Sequence, residues 1–270
     1  LAEDIYILDA ASVAAATRVS PADMARSVRS VLRAAGGPLR AVRALASLAR
    51  GGTRPVPDEG WTVHVVAAGR SARAVADDIA IARRLVAKLG GTEIAPIVPR
   101  VARADLFAGL NGVLDRDGRR WAALNAKVAH SDARTVIDGF DRLLAPHAGA
   151  MARHGVTVTR LCSALGSLAF SFECVFHWPD AWLPLHREAP DPAWLAGLTE
   201  PPANPAAREL VAALRAATVA FFRDIGAASN QIGRTYPYVD ALAPATATLL
   251  RQLKTRLDPR GLMNPGVLGL

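Results

Sequence analysis

Between Trp61 and Phe176 the chain switches repeatedly between two hydrophobic periods, and this alternation limits the fold more than any other feature. Trp61-Thr-Val-His-Val-Val is an apolar, β-branched run that reads as a strand. Ser71 stands where an N-cap belongs, ahead of Val75, Ile79, Ala82, Val86 and Leu89, which share one face of a helix. Gly90-Gly91 then supplies the left-handed residue at which helices commonly stop. Trp121 to Val128 reads as a second strand. Ser131 is placed to cap a second helix, which turns Val136, Ile137, Phe140, Leu143, Leu144 and Met151 inward and ends at Gly155. Val156–Leu161 and Leu168–Phe176 make two more strands, close enough to pair. The run strand–helix–strand–helix–strand–strand predicts an α+β fold, an antiparallel or mixed sheet covered by helices on one face.

The flanks read differently. Residues 1–60 are rich in alanine and arginine and read as a helical lead-in and linker. Ser20-Pro21 opens one helix through Met24, Val28 and Leu32, a second runs from Pro38 to Ala49, and the proline-rich stretch Thr53–Gly60 is the linker. Residues 61–200 form the α+β unit, and residues 201–270 turn helical. There Asn204-Pro205 caps a helix carrying Leu210, Val211, Leu214, Ala217 and Phe221 on one face. The segment Gly226 to Arg234 interrupts, and Pro244 opens a last helix through Leu249, Leu250, Leu253 and Leu257. Asp258-Pro259 closes it, because the residue before proline avoids helical geometry.

Composition narrows the function classes. The 270 residues are 51% hydrophobic, too apolar for a disordered chain, and two cysteines are too few for a disulfide scaffold. No run reaches ~18 uncharged apolar residues, so no membrane-spanning helix is expected. The net charge of +8 is carried almost wholly by arginine, since lysine occurs only at Lys88, Lys127 and Lys254. The arginines are scattered and do not interleave with aromatics, which describes a solvated surface rather than a nucleic-acid interface. Cys162 and Cys174 read as buried thiols of a reduced, cytoplasmic protein. The chain starts at Leu1 with no hydrophobic signal core, and is expected to be a fragment, a split-gene subunit or a processed product.

Common chemical signatures are missing. There is no Gly-x-Gly-x-x-Gly, no phosphate-binding Gly-x-x-x-x-Gly-Lys-Ser/Thr and no Gly-x-Ser-x-Gly. His147 and His154 are seven residues apart and can share a helix face, but no third ligand is near, so no metal site is expected. His64 and His130 read as packing and turn residues. Glu173 and His177 are candidate proton-handling groups at a strand end, and their even spacing puts them on one face.

The most specific string is C-terminal: Leu253-Lys-Thr-Arg-Leu-Asp-Pro-Arg-Gly-Leu-Met-Asn-Pro-Gly266, a helix end followed by two turns. It resembles the C-terminal signature of FAD-linked oxidases of the vanillyl-alcohol oxidase / p-cresol methylhydroxylase superfamily, with Val267 where a lysine is usual. Upstream, Gln231-Ile-Gly-Arg234 resembles the Gly-Ile-Gly-Arg of the family's hydroxy-acid branch. Trp121-Ala-Ala-Leu-Asn-Ala-Lys-Val-Ala-His-Ser131 is similar to a stretch of the cresol-oxidising branch. Phe172-Glu-Cys-Val-Phe-His-Trp-Pro-Asp180 resembles a strand end found in some members.

The resemblance implies a ferredoxin-like cap domain and a C-terminal segment that packs toward a flavin domain. That FAD-binding domain or chain would lie upstream, and FAD would be the cofactor. It implies hydride transfer from an organic alcohol, phenol or acid to the flavin, then electron delivery to oxygen or an acceptor protein. The stretch Cys162–Phe170 departs from the hydroxy-acid branch. Ser163 and Phe170 stand where that branch has its histidines, and Ser229-Asn230 replaces a Glu-His pair, so the resemblance implies no metal. Arg234 becomes a candidate for stabilising an anionic substrate or the reduced flavin, or equally a turn anchor. Tyr236 is a candidate partner for a substrate phenolate or carboxylate, or equally a core-edge tyrosine. Asn264 is a candidate flavin-edge residue, or a turn residue before proline. Lys127 and His130 carry over from the cresol-like stretch, but their spacing puts them on opposite faces if the strand continues. Two other classes stay open: a non-catalytic subunit docking on a separate FAD-binding chain, and a basic nucleic-acid-binding protein.

Overall fold

The computed structural model describes residues 2–17, 60–94, 110–229 and 231–270, with isolated positions at 29, 37, 39, 42, 46, 98 and 99. The two helices expected between Pro21 and Ala49, and the linker up to Gly60, fall almost entirely outside the described residues.

Five strands form one sheet: β1 (Ala2–Asp9), β2 (Trp61–Ala67), β3 (Arg120–Val128), β4 (Thr157–Leu165) and β5 (Ala169–Trp178). Their order is β2-β1-β4-β5-β3, and every neighbouring pair is antiparallel. The fold is α+β, as the periodicity predicts. The strand the sequence reading lacks is β1, which pairs with β2 on one side and β4 on the other. It runs into helix α1 (Ala10–Thr17), whose Val13 is buried and whose Ser12 hydroxyl donates to the Arg160 carbonyl at 2.8 Å.

Helix α2 (Ala72–Lys88) begins as expected, with the Ala74 N–H donating to Ser71 Oγ at 3.2 Å. None of its residues is fully buried, and Leu89, expected on its inner face, is the C-cap and 84% exposed. Two further expectations need correction. Ser131 is not a helix cap: His130–Asp132 makes a 3-10 turn, helix α3 (Ala133–Leu144) starts after it, and the Ser131 hydroxyl donates to Asp132. The helix does not continue to Gly155 either. Pro146 has no N–H to give and its ring crowds the preceding turn, so a 3-10 turn over Ala145–His147 separates α3 from α4 (Ala148–His154). His147 and His154 therefore do not share one continuous helix.

Short helices α5 (Pro184–Glu188) and α6 (Pro192–Leu195) lead to α7 (Pro205–Asp224), capped by Asn204 Oδ1 accepting from the Ala207 N–H at 3.0 Å. Helices α3 and α7 cover one face of the sheet. Val136, Phe140, Val211, Leu214 and Phe222 are buried against Leu124, Phe172, Cys174 and Phe176. Phe140 meets Phe172 and Phe176 edge-on at 5.3 and 6.2 Å, and Phe172 meets Phe222 at 6.2 Å. Gly139 lets α7 come close, since a Cβ there would strike the Phe221 ring. The last helix, α8 (Pro244–Leu257), ends at Asp258 as the Asp-Pro stop predicts.

Candidate functional site

Side chains alternate across a strand, so the register assigns each strand position to a face. On the face that α3 and α7 cover over β3 to β5, one row reads Val63, Ile7, Cys162, Phe172, Ala126 from β2 to β3, with Val63 at its far end half exposed. The neighbouring row on the opposite face reads His64, Tyr6, Ser163, Ser171, Lys127. The next row on that face is Thr62, Leu8, Leu161, Glu173, Asn125. A sheet with one apolar face and one such polar face positions functional groups on rigid backbone.

The polar groups are densest where β3 and β5 meet. The Lys127 amine donates to Ser171 Oγ at 2.7 Å and approaches Asn125 Oδ1 at 3.5 Å. Asn125 is 1% exposed, and its side-chain amide donates to Gln231 Oε1 at 3.1 Å. Its backbone N–H donates to the Tyr236 hydroxyl oxygen at 2.7 Å. Further along, Lys127 and Ala228 exchange backbone hydrogen bonds at 2.7 and 3.0 Å. The segment after α7 thus closes the outer edge of β3, which would otherwise offer unpaired donors and acceptors.

Electrostatics at this corner are set by burial. Burial raises the Glu173 carboxyl above the usual range, and the Lys127 charge only partly offsets it. Burial lowers the Lys127 ammonium, with Glu173 opposing. Among the described residues no donor hydrogen-bonds the Glu173 carboxylate. The Tyr236 phenol is pushed up by burial despite the Asn125 N–H. At the far end of the same face, burial lowers His64, whose Nε2 lies 3.1 Å from Thr62 Oγ1.

Two of the expected site residues, Glu173 and Tyr236, come together through Asn125, which faces the first in register and bonds the second. His177 shares the face of Glu173 but sits four residues along β5, about 13 Å away. There its Nε2 is 3.1 Å from Thr159 Oγ1 and its Nδ1 is 3.3 Å from Asp115 Oδ2. Burial works to raise the Asp115 carboxyl, but His177 and Arg119 outweigh it and hold it below the usual range.

Arg234 and Asn264 meet elsewhere. The exposed Arg234 donates from Nη2 to the Pro265 carbonyl at 2.8 Å, and the Leu268 N–H donates to the Gly233 carbonyl at 2.7 Å. Asn264 adopts φ 49°, a left-handed conformation that asparagine tolerates. Its carbonyl accepts from the Val267 N–H at 3.1 Å, so its backbone makes the turn that brings the tail back to Arg234. The tail is also anchored at Asp258, which accepts from the Leu262 and Met263 N–H groups at 2.9 Å each and from the Lys254 amine at 2.6 Å.

Sequence reasoning passed over Asn125, Ser171 and Gln231. The signal for the first two was polar residues at alternate positions, 125 and 127, 171 and 173, in otherwise apolar strands. His130 does not share the site. It lies in the turn after β3, with Nε2 3.1 Å from the Gly166 carbonyl. Both cysteines are free and buried, and burial pushes each thiol up to about 12, so neither is a nucleophile. Among the described residues no helix is long and apolar enough to cross a membrane, and no cluster of three or more His, Cys, Asp or Glu could hold a metal ion.

No family model matches the sequence, and no curated protein matches it. Among solved structures the chain is similar to alkyldihydroxyacetonephosphate synthase in two crystal forms. Both are at 10% identity, with TM-scores of 0.41 and 0.43, over 97% of this chain and 39% and 38% of the other. It is also similar to 4-ethylphenol oxidase from Gulosibacter chungangensis, in complex with isoeugenol, at 14% identity and a TM-score of 0.40. That match covers 98% of this chain and 47% of the oxidase. The chain therefore spans less than half the length of each of these structures.

Proposed function

We propose that this chain is the cap and C-terminal region of an FAD-dependent oxidoreductase, whose polar sheet face shapes the site for an organic alcohol, phenol or acid. One observation carries the reading. Four stretches that resemble FAD-linked oxidases, far apart in sequence, join at one sheet edge. Asn125 of the first faces Glu173 of the second and bonds Gln231 of the third. The third is tied to the fourth, the C-terminal string, by Arg234 and Pro265.

The donor set suits the ring end of a flavin and a small substrate: two amides, hydroxyls, one amine and one carboxylate. It does not suit a pyrophosphate, which needs a glycine-rich row of backbone N–H groups. That part of the cofactor belongs to an FAD-binding domain or chain upstream. The apolar side chains left exposed on α8 and the tail, Leu253, Leu257, Leu262 and Met263, offer it a surface.

When bound, the flavin supplies hydride acceptance. The chain's own groups do the rest. Glu173, with a raised affinity for protons and no donor bonded to it among the described residues, takes the proton of the substrate hydroxyl. Lys127 and Asn125 orient that oxygen. Tyr236 fixes β3 from its edge, and Arg234 holds the tail in place. His177 serves the end of the sheet through Asp115.

The test is the visible spectrum of the protein purified as its whole gene encodes it. Flavin bands that bleach when an alcohol or phenol is added support the reading. A colourless protein that takes up no FAD sinks it. Glu173→Gln should keep the flavin bands while slowing bleaching by about 10²-fold or more.

A further inference from the structure

We propose that Lys127 is a covalent site for aldehydes, its amine condensing with the carbonyl carbon to an imine amid Ser171, Asn125 and Glu173. The three lysines of the chain make the case by contrast. Lys88 ends α2 in an exposed position. Lys254 is ion-paired with Asp258 at 2.6 Å and also donates to the Met263 carbonyl. Lys127 is half-buried on the sheet face, and the two oxygens it reaches, Ser171 Oγ at 2.7 Å and Asn125 Oδ1 at 3.5 Å, are both neutral. Burial lowers its pKa, which leaves a larger share of the amine neutral, and only the neutral amine is a nucleophile.

The step balances without an oxidant or reductant. The Nζ lone pair attacks the carbonyl carbon, a C–N bond forms, and the carbonyl electrons move to oxygen. Glu173, which burial biases toward its protonated form, gives that oxygen a proton. The resulting hydroxyl leaves as water as C=N forms, and the two hydrogens lost with it are those of the amine. Glu173 recovers its proton. Ser171 Oγ and Asn125 Oδ1 hold the amine for attack, and the Ser171 hydroxyl turns to donate to the imine nitrogen once its hydrogens are gone. No step uses a flavin, so the site stands or falls separately from the proposed oxidoreductase activity.

The experiment treats the purified protein with benzaldehyde and sodium cyanoborohydride at neutral pH and maps the N-benzyl groups by peptide mass spectrometry. Lys127 is expected to label at least about tenfold faster than Lys88 and Lys254, and Glu173→Gln to slow it about tenfold. Labelling of Lys127 no faster than Lys88 overturns the proposal. So does an unchanged Lys127 rate in a folded Glu173→Gln variant, because the proton donor would then have no part in the step. The comparison among lysines within the wild-type chain needs no variant to fold.

Discussion

The two faces of the sheet are built from the same strands, often from adjacent residues, yet they serve different ends. Phe172 lies fully buried among aromatic rings, whereas Glu173, the next residue, points to the other side, opposite Asn125 and within reach of the Lys127 charge. One face is held by burial, which is strong and non-directional. The other carries groups whose burial costs stability and perturbs their proton affinity. The strongly packed face is what allows the polar face to hold its groups in register.

The sharpest way to break this contrast is to exchange the sizes of the two effects. Phe172→Ala removes a ring that touches Phe140 and Phe222 and is expected to cost about 3–5 kcal/mol of unfolding free energy, read from urea denaturation. Glu173→Gln, one residue away, is expected to change it by less than about 1 kcal/mol. Equal losses at the two positions would show that both faces are packed cores.

Two carboxylates on or just beyond β5 sharpen it further. Asp180 is fully buried and accepts from Arg120, Arg208, Trp178 and the Ala181 and Asn204 N–H groups. Burial pushes its pKa up, but Arg208, the Asn204 and Trp178 N–H groups and Arg120 overcome this and hold it well below the usual range. Its contribution is present above the ordinary carboxylate range and lost as pH falls through about 4 and below. Asp180→Asn should cost about 3 kcal/mol at neutral pH, and the gap from wild type should close in acid. Glu173 has the opposite sign. Its folded pKa is raised, so the folded state binds the extra proton, and its contribution falls as pH rises above about 4.3. Glu173→Gln should therefore gain on wild type as pH rises from 4 toward neutrality. Urea midpoints of both variants between about pH 3 and 8 read both signs, and parallel profiles would remove the electrostatic difference between the two positions.

What could be read from the sequence was whatever is encoded locally. Strands β2 to β5, the Ser71 and Asn204 caps and the Asp258 stop depend on neighbours within a few residues. Strand β1 does not: its partners β2 and β4 lie far along the chain. The site divides the same way. That Glu173 and His177 share a face followed from their even spacing alone. That Asn125, Gln231 and Tyr236 converge is a matter of long-range contact. The odd spacing of Lys127 and His130 separates their faces only if the strand continues, but β3 ends at Val128, so strand parity says nothing about His130. The Asp180 hub was invisible because its arginines come from positions 120 and 208.

A more local effect tests where the two faces are joined. Tyr236 belongs to both: its ring is part of the apolar cluster and its hydroxyl oxygen accepts the buried Asn125 N–H. Tyr236→Phe keeps the ring and strands one backbone donor, which costs about 1–2 kcal/mol. A purely packing role would make the change nearly neutral. The local consequence separates these outcomes better than the total. If the hydroxyl pins the β3 edge, amide hydrogen exchange in Tyr236→Phe should accelerate at Asn125 and leave the β4–β5 pairs as protected as before. Uniform acceleration across the sheet would mean that the hydroxyl supports the whole core rather than the edge from which the polar site is built.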